Sequence, residues 1–214
     1  MTNMMIQAIT PWILTSPESL QTDLWIILFF VVTTGLTAMF LGFACSKKFA
    51  DDKRKTGLIF AGIAVLLTII LICFFGCAVS AIKGIVLSLI LLISSYSDIK
   101  CREVEDYLSV MVVLTAFIGI EASQIPYAIL SAIIVSIPTI FVSILCKGKT
   151  IGGADIKLTA ACSMVIGVWG GLIGLMIGLT LSIIIYLVIQ KKDKAEPFPL
   201  VPYLATGFMV AYFI

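Results

Sequence analysis

The stretches "IILFFVVTTGLTAMFLGFAC" at 26–45 and "FAGIAVLLTIILICFFGCAVS" at 60–80 hold no charged residue. Each is about as long as the ~20 apolar residues that cross a bilayer as a helix. Inside hydrocarbon, every backbone N–H and C=O must find its partner within the protein, so only helices or closed barrels span it. A barrel needs strands in which apolar and polar residues alternate, and these runs do not alternate. The rest of the chain is of the same kind. Of its 214 residues 61% are hydrophobic and 12% charged, too few polar side chains to coat a soluble domain. The reading is an all-α polytopic membrane protein.

Eight apolar segments follow one another, at roughly 24–45, 57–79, 82–97, 107–120, 125–146, 158–168, 171–189 and 200–214. Three are short for a full crossing. The third and sixth can lengthen into the polar loops beside Asp98 and Asp155, which would carry both aspartates on helix ends. The basic residues punctuate the segments unevenly. "CSKKFADDKRKTG", "DIKCREVED", "CKGKTIGGADIK" and "QKKDKAEPFP" hold thirteen of the fourteen Lys and Arg residues, and only Lys83 lies elsewhere. These are alternate loops, so the positive-inside rule makes 46–56, 98–106, 147–157 and 190–199 cytoplasmic. Both termini then face away from the cytoplasm. Residues 1–22, with Trp12 and no basic stretch before an apolar one, read as a non-cytoplasmic interfacial segment and not as a cleaved signal peptide. No soluble domain is visible, and 1–214 reads as a single membrane domain.

The six cysteines include no CxxC pair, and the chain has no histidine. A zinc site of the usual Cys/His kind is therefore not expected. Cys73 and Cys77, four apart, read as small apolar residues on one helix face.

Most of the twelve carboxylates sit in solvated loops. Asp98 and Asp155 do not. Asp98 closes the run "GIVLSLILLISSYSD", and Asp155 stands just before "IKLTAACSMVIGV". Both fall at the cytoplasmic end of a segment, at one membrane depth. Carboxylates there are costly and usually face a cavity or a partner. Two brought together cannot both ionise easily. Such a pair can act as general acid and general base around one water, the chemistry of aspartic proteolysis. Simpler roles also fit. Asp155 suits the N-cap of the sixth segment, and Asp98 can pair with Arg102 one turn later. Gly152, Gly153 and Ala154 leave almost no bulk beside Asp155, which suits either a tight turn or the approach of a substrate backbone.

"GGADIKL" resembles the GxGD signature of the type IV prepilin peptidases, membrane aspartic proteases. Ala154 stands where that signature has its second glycine. "SDIKCREVEDYLS" is similar to the family's other motif, an aspartate followed by a basic residue and an Ile-Pro-Asn step. Asp98 and Arg102 match it and Val104 stands for the isoleucine, while Glu105 and Asp106 replace the proline and asparagine. "PLVPYLATG", with Pro202, looks like the proline-rich step before the family's last span. The likeness runs from about residue 82 to the C-terminus. It implies a helical bundle, catalytic Asp98 and Asp155, and no cofactor. It implies as substrate a prepilin or pilin-like precursor, cleaved at the cytoplasmic face between a basic leader and an apolar helix. Membrane lipid is the other implied partner, and nucleic acid is not one. Bifunctional relatives carry paired cysteines in the loop after the first span and also N-methylate the product. The short "SKKFADDKRKTG" has neither the pair nor the room, which implies a peptidase alone.

Lys157 and Lys100 each follow an aspartate by two residues, a spacing that does not share a helix face. They fit as groups that tune the carboxylates or touch substrate, and equally as topology markers that snorkel to headgroups. Glu103 and Glu105 are candidates to meet a basic leader. Two rival functions are a proton-coupled transporter or channel, which calls for broken helices at the midplane, and a non-catalytic scaffold of the same fold.

Overall fold

The computed structural model describes residues 17–49, 52–145, 152–189 and 198–214. They form eight α-helices and one 3₁₀ turn, and no strand occurs among them. The chain packs as two compact units, Met1–Leu89 and Ile90–Ile214, with the boundary inside the third helix. The interfacial segment expected at 1–22 lies outside the described residues up to 16, and 17–22 already belong to the first helix. Parts of three expected loops, at 50–51, 146–151 and 190–197, also lie outside them.

In the first unit, α1 (Pro17–Phe49) packs against α2 (Lys53–Phe75). Lys47 and Lys48 end α1, where cations complement the negative end of the helix dipole. Asp52 starts α2 by accepting the Arg54 N–H at 3.2 Å, one of the donors that a helix start leaves orphaned. The two helices approach closely at Gly42, where a Cβ would lie 2.8 Å from the Gly57 Cα. Small residues at such crossings are how apolar helices associate where lipid removes the hydrophobic drive.

α3 (Val79–Cys101) crosses the unit boundary. The second unit continues with α4 (Asp106–Ala116), a 3₁₀ turn (Ala122–Gln124), α5 (Ile125–Leu145), α6 (Gly153–Ile166), α7 (Val168–Ile189) and α8 (Val201–Tyr212). α6 is its hub and packs against α4, α5, α7 and α8. Leu158, Ala161, Cys162 and Ser163 of α6 are all buried. The Ser131 hydroxyl of α5 donates across to the Ser163 carbonyl at 2.7 Å, tying the two helices.

The eight segments read from the sequence thus correspond to eight helices. Five are long and apolar enough to cross a membrane: α1, α2, α3, α5 with its leading 3₁₀ turn, and α7. The protein is an all-α polytopic membrane protein. α4, α6 and α8 have 11, 14 and 12 residues. At 1.5 Å per residue they reach only ~16–21 Å, short of a ~30 Å hydrocarbon core. The third segment is longer than its apolar run, because the helix continues through Asp98 to Cys101. Two outer loops shrink. Lys83 belongs to α3, and most of "GVWGG" is the first turn of α7. Only Gly167, at φ +90°, separates α6 from α7. That left-handed backbone is open to glycine at little cost.

Candidate active site

The three short helices begin where α3 ends. α3 closes on an αL-type cap: the Arg102 N–H donates to the Asp98 carbonyl at 2.9 Å, with Arg102 at φ +57°. For a residue with a Cβ, this conformation costs ~1–2 kcal/mol. The turn is pinned from the side, since the Ser97 hydroxyl donates to the Glu103 carbonyl at 2.9 Å. The chain is thereby sent directly into α4, whose first residue is Asp106.

Asp98 sits in the last turn of α3 and is 7% exposed. Its Oδ2 accepts the Val201 N–H at 2.9 Å. The Leu200 N–H acts on the same carboxylate. Val201 is the first residue of α8 and Pro202 the second, so the N-terminal donors of α8 meet an acceptor 103 positions back in the chain. Arg102 also acts on Asp98 electrostatically, as the motif spacing led one to expect.

Asp155 is the third residue of α6, not its N-cap, which is Gly152. Its Oδ2 accepts the Gly152 N–H at 3.2 Å, half of a capping box. Its carboxyl is raised to about 6: burial pushes it up most, the Gly152 N–H draws it down, and the nearby Asp98 carboxylate adds to the rise. This last effect follows from two like charges sharing one site.

Both aspartates line one cleft of about 370 Å³. Its carboxylates are Asp98, Glu103, Asp106 and Asp155, with Arg102 as the cation. Gly152, Gly153 and Ala154 form a wall of it. The N-termini of α4 and α6 open at this cleft, and that of α8 reaches Asp98. Each carries a positive partial charge that offsets so many carboxylates. Gly152 stands at the turn from loop to helix as the N-cap of α6. Gly152 has φ −72° and ψ 153°, which any residue adopts. A Cβ at Gly153 would meet nothing within 4 Å, and one at Gly152 would touch only Asp155 Oδ2, at 3.5 Å. Neither backbone strain nor a crowded neighbour calls for glycine at these positions, and open space remains beside Asp155.

The other residues singled out in the sequence lie around the cleft. The Lys157 Nζ donates to Asp106 Oδ1 at 2.8 Å and so bridges α6 to α4 in an exposed pair. Lys100 lies over the Tyr96 ring, 5.9 Å from its centroid. Pro202 is not in the wall but helps to start α8. Two participants went unseen in the sequence. Asp106 lines the cleft, and its replacement of the motif asparagine was the only available hint. The Val201 N–H holds Asp98, and the neighbouring Pro202 marked a helix start without showing its partner.

Residues 85–190 match the model of the type IV leader peptidase family. That stretch contains both aspartates and every residue that lines the cleft. No curated protein and no solved structure matches the chain. Over residues 85–190 the chain is thus similar to the type IV leader peptidase family, which supports an activity of the leader-peptidase kind.

Proposed function

We propose that this chain is a member of the type IV leader peptidase family, an aspartic endopeptidase with Asp98 and Asp155 as its catalytic pair. The observation that carries the reading is their juxtaposition. Two carboxylates from separate helix ends line one cleft, and one of them has its carboxyl held near 6 by burial and by the other. Such a pair shares one proton up to about pH 6. The ionised member takes a proton from a water held between them. The water oxygen attacks the peptide carbonyl, and the protonated member donates to the carbonyl oxygen. Collapse of the tetrahedral intermediate breaks the C–N bond: the protonated member gives its proton to the leaving amine, a diol hydroxyl returns one to the other member as the new carboxyl group forms, and the pair is restored with one proton.

The proposed substrate is a prepilin or pilin-like precursor with a basic leader ahead of an apolar helix. A cleft with four carboxylates and one guanidinium on its lining suits a basic chain. The wall at Gly152 and Gly153 leaves room for an extended backbone. The charge alternation of the loops assigns this end of the bundle to the cytoplasmic side of the cell membrane. Only residues 50–52 separate α1 from α2, which leaves no space for a methyltransferase insert and favours a peptidase alone.

The test is cleavage of a purified prepilin by the detergent-solubilised protein. Asp98→Asn and Asp155→Asn should each abolish it, and Asp52→Asn, at the start of α2, should not. Wild-type cleavage by either of the first two would end the dyad reading.

A further inference from the structure

One turn below Asp155 lies a hydroxyl with nothing to hold. Thr159 is 0% exposed, and its Oγ1 has no hydrogen-bond partner among the described residues. Other buried threonines behave differently. Thr34, Thr68, Thr115 and Thr139 give their hydroxyls to a carbonyl three or four residues back, at 2.6–2.9 Å. For Thr159 the corresponding carbonyls are those of Asp155 and Ile156, and neither is used. A buried hydroxyl without a partner is costly and calls for an explanation.

The position suggests what the partner is. Thr159 follows Asp155 by four residues, so the two side chains stack on one face of α6. Helix side chains lean toward the N-terminus, which directs that of Thr159 over the turn carrying Asp155. The Asp155 carboxylate has spare acceptor capacity, since Gly152 supplies a single bond to Oδ2 at 3.2 Å. That bond is a helix cap and draws the carboxylate back along the loop.

We infer that Thr159 is a positioning residue for Asp155: its hydroxyl donates to the Asp155 carboxylate once that group leaves the Gly152 cap to act on substrate. The inference rests on the proposed dyad. It gives α6 two settings of one side chain, capped at rest and held from below at work. Only the second needs the buried hydroxyl.

The experiment compares wild type, Thr159→Val and Thr159→Ser with a prepilin substrate in detergent, and follows the Asp155 carboxyl titration by carbon NMR with an uncleavable prepilin peptide bound. Valine keeps the shape and removes the donor. The expected result is a kcat at least ten-fold lower with KM unchanged, and an Asp155 midpoint moved upward because its charged form has lost a donor. Serine restores most of both. Thr159→Val should also melt no lower than wild type, since it removes an unpartnered polar group, which separates a lost role from a damaged fold. Wild-type kcat together with an unmoved midpoint in Thr159→Val overturns the inference. Equal losses in the valine and serine variants also overturn it. If the wild type cleaves no prepilin, the dyad reading fails and the inference, which rests on it, falls with it.

Discussion

The backbone N–H of Val201 donates to the Asp98 carboxylate at 2.9 Å, joining the start of the last helix to the end of the third. The bond is buried. It gives Asp98 a structural duty beside its proposed chemical one, and the two can be separated. Asn at position 98 keeps a side-chain oxygen for the Val201 N–H but loses the titrating group. Leu keeps neither. Asp98→Asn should therefore fold near wild-type stability and be inactive. Asp98→Leu should be inactive and less stable by ~1–3 kcal/mol, the cost of an orphaned buried donor. Thermal unfolding of both variants in one detergent checks this. Equal stability of the two would show that the bond contributes nothing.

Asp155 makes the protein sensitive to pH in a definite direction. Its carboxyl is raised from an ordinary 3.8 to about 6, so the folded state prefers the neutral form. The stabilising contribution is full below pH 3.8, declines as pH rises, and is gone above about 6. At 1.36 kcal/mol per unit the swing is on the order of 3 kcal/mol. Asp155→Asn should flatten this part of the stability profile and raise stability at pH 7. Cleavage should fall as pH climbs past about 6, when the pair loses its shared proton. Asp98→Asn removes the neighbouring charge and should bring the Asp155 midpoint down. A midpoint that stays in place in that variant would mean the two carboxylates do not interact.

Lys157 and Asp106 form a direct ion pair, but their side chains are 56% and 72% exposed. Exposed pairs are worth ~0–1 kcal/mol and fade with salt. Lys157→Ala should cost less than ~1 kcal/mol, and less again at high ionic strength. The consequence for activity is larger, because Asp106 lines the cleft and would lose its cation. The variant should lower KM for a substrate with a basic leader and leave kcat nearly unchanged. A matched drop in kcat would instead place Lys157 in the chemistry.

Much of this architecture could be read from single residues and short windows. The apolar runs located all eight helices, because helix formation in hydrocarbon is a local demand of the backbone. The aspartates stood out because a carboxylate beside such a run is costly. Contacts set by folding were not readable. Nothing near Val201 names Asp98 as its partner, and nothing near Lys157 names Asp106. Nor does "DIKCRE" reveal that Arg102 takes φ +57° to close α3. At Gly152, the N-cap of α6, the extended backbone itself requires no glycine. The same local view overestimated the loop at "GVWGG", where Gly167 alone makes the turn.

Gly153 tests the meaning of that open wall most directly. A Cβ there meets nothing within 4 Å, and the residue begins α6. Gly153→Ala should thus fold normally. It should even gain up to ~1 kcal/mol, because glycine loses more backbone freedom than alanine on entering a helix. Gly153→Leu should also fold, since its side chain has the cleft to enter. Function should respond the opposite way. Each added carbon fills space beside Asp155 that the proposed substrate backbone occupies, so kcat/KM should drop modestly for Ala and by more than ten-fold for Leu, with melting temperatures unchanged or higher. The pair of measurements separates clearance from packing. A Leu variant that folds and cleaves at the wild-type rate would show that the substrate passes elsewhere, whereas one that unfolds would show that the wall is a packing surface after all.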